Sequence, residues 1–127
     1  MVRFIDWYRQ AENDLKWAEY SLAGEYYAQA CFVAQQVGEK ALTAYCLYKE
    51  FDVVRTHSLF RIIQALQENG ELEKHAKELD LYYISGRYPD AFPGGAPFEM
   101  LSKEQAERAL ASARFILEEL SRRMNIE

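Results

Sequence analysis

Four residues, Arg87-Tyr88-Pro89-Asp90, put a planar cation, an aromatic ring, a conformational lock and a carboxylate into one short run. Pro89 fixes its own φ and biases Tyr88 toward extended backbone, so Arg87 and Asp90 are expected on a stiffened turn. A rigidly presented guanidinium beside a ring suits recognition of a phosphate or a base. The alternative is that Arg87 and Asp90 bond each other or nearby carbonyls and only hold the loop. A second group, Arg55-Thr56-His57, stands just before an apolar helical pattern. Free N–H groups and the dipole at a helix start favour anions, and a cationic His57 would add to that; otherwise Thr56 simply caps the helix and His57 covers its neighbour. A third set, Gln35, Gln36, Glu39 and Lys40, runs along a long helix and reads as a solvated face or a seam between subunits.

Other chemistries fit less well. A helical di-metal site wants Glu-x-x-His pairs, but Val54 and Leu72 stand three residues before His57 and His75, the two histidines of the chain. No His or Cys pair has zinc spacing. Gly94-Gly95-Ala96-Pro97 lacks the lysine of a phosphate-binding loop and ends in a residue without an N–H. Cys31 and Cys46 lie far from either histidine in sequence, and one helix separates them by about 22 Å of rise, so they read as unpaired core thiols. No metal and no cofactor is expected.

The elements that must position these residues are helices. Phe4, Tyr8, Ala11, Leu15, Ala18 and Leu22 recur at steps of three and four up to a Gly24 break, with Trp7 and Trp17 widening the apolar face. From Tyr26 to about Lys49, a stripe of small residues at Ala30, Ala34, Gly38 and Ala41 allows close approach of a neighbour, as in the central helix of a bundle. After a connector with the β-branched pair Val53-Val54, a third helix carries Leu59, Ile62, Ile63 and Leu66 inward and stops at Asn69-Gly70. A fourth turns Leu72, Ala76, Leu79 and Tyr83 inward, with Gly86 as a left-handed stop. Ser102 and Gln105 match a capping box, and the last helix aligns Ala106, Ala109, Ala113, Ile116, Leu117 and Leu120. The expectation is an all-α, up-and-down bundle of four to five antiparallel helices, with residues 1–127 as one domain. All three prolines and three of the six glycines crowd into 82–97, within a connection too long for an ordinary bundle link. Phe92, Phe98, Met100 and Leu101 should anchor it.

The 127 residues are 50% hydrophobic and 28% charged, as in a globular domain and unlike a disordered chain. A net charge of −5 argues against a general nucleic-acid coat, while leaving room for a local basic site. Without a long apolar run or a signal-like N-terminus, the chain is expected to be cytoplasmic and not membrane-bound.

The runs AENDLKWAEYSLAGEYYAQACFVAQQVGEKALTAYCLYK, THSLFRIIQAL, LDLYYISGRYPDAF and LSKEQAERALASARFILEEL resemble the HEPN domain (higher eukaryotes and prokaryotes nucleotide-binding) over nearly the whole chain. The most specific parts are Ala34-Gln35-Gln36 with Glu39-Lys40-Ala41-Leu42, His57-Ser58-Leu59 and Arg87-Tyr88-Pro89-Asp90. The resemblance implies a helical bundle, usually a homodimer, often encoded beside a minimal nucleotidyltransferase in a toxin–antitoxin-like pair. In the ribonuclease members, an arginine followed after four to six residues by a histidine forms the active site across the dimer. Arg87 matches that arginine by place, but Phe92, Pro93 and Gly94 occupy the histidine positions. The resemblance therefore implies a non-catalytic module binding a nucleotide, a nucleic acid or the nucleotidyltransferase through Arg87, Tyr88, Asp90, His57 and Arg55. The alternatives are a metal-independent ribonuclease with a site rearranged around His57 and Arg87, and an assembly scaffold.

Overall fold

The computed structural model describes residues 3–52 and 55–126; the Val53-Val54 pair lies outside them. Among the described residues seven α-helices follow one another: α1 (Phe4–Ala23), α2 (Tyr27–Tyr48), α3 (Leu59–Ala65), α4 (Glu71–Asp80), α5 (Tyr82–Ser85), α6 (Pro97–Met100) and α7 (Lys103–Arg123). A 3₁₀ turn, Pro89–Ala91, sits between α5 and α6. None of the described helices is long and apolar enough to cross a membrane.

Contacts at both ends of each pair fix the directions. Phe4 meets Tyr48 edge-on at 5.2 Å while Asp14 pairs with Lys40, so α1 and α2 are antiparallel. Ser58 bonds Asp80 and Lys77 lies over Phe60, so α3 runs against α4. His75 meets Ser112 and Glu68, just before α4, pairs with Arg123 at the end of α7, so α4 opposes α7. The four long helices are thus up, down, up, down, with α2 and α7 parallel across the diagonal and in contact along it.

α2 is the axis of the core. Ala30, Ala34, Gly38 and Ala41 are all buried, as the small-residue stripe predicts. A methyl group on Gly38 would come within 2.5 Å of Leu59 Cδ2 and 2.7 Å of Leu79 Cδ1, so α3 and α4 pack against α2 because that position has no side chain. The aligned faces of α3 and α7 are buried as expected, and Ser102 and Gln105 form the capping box.

Five expectations need correction. Trp7 and Trp17 do not widen the buried face of α1; both rings are exposed. Gly86 ends its helix but is not a left-handed stop, having a φ of −77°. The left-handed residues at helix ends are Glu25, Glu50, Gln67 and Asn125, and in each case the next N–H donates to the carbonyl five residues back, closing a Schellman turn without glycine. Tyr83 is only half-buried, because the turn at Leu81 breaks the register and rotates Tyr82 into the core instead. Of the four loop anchors, Phe92 and Leu101 pack on the core, whereas Phe98 and Met100 are exposed. Thr56 does not cap α3: Ser58 is the cap, its hydroxyl accepting from Arg61 N, and Thr56 Oγ1 accepts from Ser58 N.

Candidate functional site

Gly86 ends α5 against α2. A methyl group there would stand 2.8 Å from Phe32 Cβ and 3.2 Å from the Ala28 carbonyl, so glycine is what lets the chain turn flush with α2. Arg87 emerges next, its N–H and that of Tyr88 both donating to the Ile84 carbonyl. Tyr88 is extended (φ −121°, ψ 133°) and Pro89 opens the 3₁₀ turn, as the stiffened-turn reading predicts.

This corner aims the Arg87 guanidinium into aromatic surroundings. Its Cζ lies 4.5 Å from the ring centre of Phe32, 4.6 Å from that of Tyr83 and 4.7 Å from that of Tyr88. Guanidinium faces stack well on such rings because the π cloud carries partial negative charge. Of the five N–H donors, Nε–H goes to the Tyr83 carbonyl at 3.3 Å; among the described residues no carboxylate pairs with the group. Asp90 lies exposed in the 3₁₀ turn and does not bond Arg87. The loop-holding alternative therefore applies to one donor of Arg87 only.

His57 reaches the same place from the start of α3. Its imidazole stacks on Tyr83 with centroids 4.4 Å apart and planes 14° from parallel. Its Nδ1 lies 3.2 Å from Glu39 Oε1; a carboxylate can only accept, so Nδ1 is the donor of this pair. Glu39 is itself held by Gln35, which is fully buried and donates to Glu39 Oε1 (3.3 Å) and to the His57 carbonyl (2.9 Å). Gln36 completes the set by donating to Gln35 Oε1 at 2.7 Å. The polar residues of α2 are thus not a solvated face: Gln35 and Glu39 brace His57, and Lys40 pairs with the buried Asp14.

The helix-start reading of Arg55-Thr56-His57 also changes. Asp80 already fills the N-terminus of α3, its carboxylate accepting from Leu59 N (2.7 Å), Phe60 N (3.1 Å) and Ser58 Oγ (2.8 Å). The free amides that would attract an anion are taken by a carboxylate of the protein. Arg55 and His57 both line a cavity that also includes Trp7.

The structure places Arg87, Tyr88, His57 and Arg55 at the surface, but sequence reasoning missed the residues that join them. Tyr83 looked like a core position, and nothing local marked Phe32. Glu39, four residues after Gln35, carried a helical-pair signal whose target, His57, lies 18 residues further on.

The nearest approach to a nucleophile–base pair elsewhere is buried. Ser112 Oγ is 2.8 Å from His75 Nδ1, and His75 Nε2 is 3.5 Å from Glu71, the order of a hydrolase triad, but Ser112 is 4% exposed and cannot meet a substrate. Cys31 and Cys46 are buried, and burial pushes the Cys31 thiol up to about 12, so it stays protonated. Among the described residues no three His, Cys, Asp or Glu side chains gather to hold a metal.

Comparison with known proteins agrees with this arrangement of helices. TT1696 from Thermus thermophilus superposes with a TM-score of 0.90 at 39% identity, over 96% of this chain and 98% of that one. ST0689, described as an archaeal HEPN homologue, gives a TM-score of 0.85 at 33% identity over 98% and 99%. A Methanocaldococcus jannaschii protein named "Putative toxin MJ1304" is 27% identical over 123 residues, 87% of this chain and 80% of its own length. The HEPN domain family matches residues 5–124, and this chain belongs to that family.

Proposed function

We propose that this chain is a HEPN binding module that takes nucleic acid or a nucleotide at Arg87, flanked by Tyr83, Tyr88 and His57, within a toxin-like system. The observation that carries the reading is the Arg87 guanidinium itself, oriented by three rings and one carbonyl, with its terminal N–H groups left for a ligand. A phosphate accepts two parallel hydrogen bonds from such a group, and the neighbouring rings offer stacking faces to an adjoining base. The relative named as a toxin supports the toxin-like context. Family resemblance supports a homodimer and a minimal nucleotidyltransferase as partner, with Asp90 on the exposed turn as a further contact. Titration of short single-stranded RNA and of ATP into the protein tests the reading. Binding that weakens about tenfold in Arg87→Ala is expected; no binding of either ligand, and none of the nucleotidyltransferase, would leave a scaffold role instead.

One observation favours a second reading, the metal-independent ribonuclease. Glu39 Oε1 takes the Nδ1 side of His57, which leaves Nε2 as the nitrogen that would accept a proton, and Arg87 shares the Tyr83 ring. His57 would take the proton of a ribose 2′-hydroxyl as its oxygen attacks phosphorus and the 5′-oxygen leaves with a proton from water, while Arg87 stabilises the added negative charge. RNA cleaved in chelator by the wild type and spared by His57→Ala would select this reading; intact RNA with both would discard it.

A further inference from the structure

A groove of about 510 Å³ lies along the outer face of α1 and the turn into α2, lined by Asn13, Lys16, Trp17, Tyr20, Ser21 and Tyr26 and by none of the residues around Arg87. Asn13, Lys16, Trp17 and Tyr20 share one face of the helix, opposite the buried Ala11 and Ala18. Trp17, Tyr20 and Tyr26 are 60%, 82% and 62% exposed, three adjoining rings whose apolar surface nothing in the described chain covers.

The turn presets this surface. Glu25 takes the left-handed conformation, with a φ of 67°, and Tyr26 N donates to the Ser21 carbonyl at 2.8 Å. The Tyr26 ring folds back over Gly24, where a methyl group would stand 3.2 Å from its Cδ2. A ring fixed in this way from the backbone lowers the ordering cost of binding.

The wall chemistry selects the occupant. The Trp17 indole and the Lys16 ammonium can only donate hydrogen bonds, the two phenols and the Asn13 amide can also donate, and no carboxylate lines the groove among the described residues. An occupant rich in acceptors and poor in donors fits such a wall. Lys16 is its one cation and also lines the neighbouring cleft with Glu12 and Glu19, so acidic side chains stand close to its charge. That disfavours a polyanion, which gains its affinity through neutralised phosphates. A second copy fits no better, because an isologous contact sets the same donors against each other. Proline-rich backbone has the complementary chemistry: carbonyl acceptors without N–H groups, and compact apolar rings. Asn13 to Tyr20 spans about 10 Å of α1, close to one polyproline turn of about 9 Å.

We propose that this groove docks an extended, proline-rich segment of a partner protein, its prolines seated among the Trp17, Tyr20 and Tyr26 rings and its carbonyls accepting from the indole, phenol and ammonium donors. The surface is separate from the Arg87 site and does not rest on the nucleic-acid reading.

Anisotropy titration of the full chain against a fluorescein-labelled peptide of about nine prolines tests this, with a glycine–serine peptide of equal length and a short single-stranded RNA as the other probes. Saturable polyproline binding is expected, weakened at least about fivefold in Trp17→Ala and in Tyr20→Ala and kept within about twofold in Trp7→Leu, an exposed tryptophan outside the groove. Unchanged helicity and melting temperature in these surface variants show that the losses are not unfolding. No saturable binding, equal binding of the glycine–serine peptide, or an equal loss in Trp7→Leu overturns the proposal. RNA that displaces the peptide and itself weakens in Trp17→Ala, or self-association in sedimentation that Tyr20→Ala abolishes, overturns it in favour of that other occupant.

Discussion

The Arg87 guanidinium and the His57 imidazole rest on the same side chain, Tyr83, at 4.6 and 4.4 Å from its ring centre. Arg87 comes from the corner after α5 and His57 from the start of α3, 30 positions earlier in the chain, so Tyr83 is what brings the two side chains together. Removing its ring while keeping bulk should separate them. Tyr83→Leu is expected to weaken RNA binding by about 1–2 kcal/mol and Tyr83→Phe by much less, since stacking needs the ring and not the hydroxyl. Titrations of the two variants side by side check this; equal losses would show that the phenol oxygen matters.

Asp80 replaces the missing free N-terminus of α3 with three accepted hydrogen bonds, tying α3 to α4 just beneath His57. Asp80→Ala strips the cap and leaves those donors without their carboxylate. A loss of about 1–3 kcal/mol in denaturant stability is expected, with Asp80→Asn intermediate. A change under about 0.5 kcal/mol for Asp80→Ala would mean that solvent replaces the cap freely.

Gly86 is a contact residue, and its substitution should be felt at the site. Gly86→Ala places a methyl group against Phe32 Cβ and the Ala28 carbonyl, backbone-level neighbours that cannot rotate away. It should cost about 1–3 kcal/mol and displace Arg87 from the Phe32 ring, lowering both melting temperature and RNA affinity. Retained affinity at lowered stability would show that the corner tolerates the shift.

Most of the bundle was legible in the sequence because a 3.6-residue period and a small-residue stripe are local signals. α2, α7 and the capping box Ser102–Gln105 were read almost to the residue. What escaped was set by tertiary contact. Tyr82 and Tyr83 exchange roles because one turn at Leu81 shifts the register, and adjacent tyrosines carry no mark of which will face inward. Asp80 capping a helix that begins 21 positions before it, and Glu39 bracing His57, are pairings between distant segments that periodicity cannot show. Arg87 was legible as a presented cation because Pro89 stiffens its turn; the aromatic seat beneath it was not.

His75 gives the α4–α7 seam a pH dependence. Burial between Ser112 and the Phe115 ring lowers its pKa from the ordinary 6.5, outweighing the nearby Glu71 and Glu78 charges, while Lys74 reinforces the lowering. Between the lowered value and 6.5 the unfolded chain binds the proton more readily than the native one, so stability is complete above that window and declines as pH falls through it. His75→Gln should flatten the acid side of the stability profile measured by urea unfolding from about pH 7.5 to about pH 5. An unchanged slope would assign the acid sensitivity to other groups.

The central claim is that Arg87 holds its guanidinium out for an anionic ligand. The most direct measurement is the salt dependence of single-stranded RNA binding by the wild type, Arg87→Lys and Arg87→Ala, followed by anisotropy. Loss of one phosphate contact should reduce the slope of log affinity against log salt by about 0.7 in Arg87→Ala. Arg87→Lys should keep the slope but bind more weakly, because an ammonium cannot make the forked contact or stack in the three-ring seat. Identical slopes and affinities for all three proteins would contradict the account.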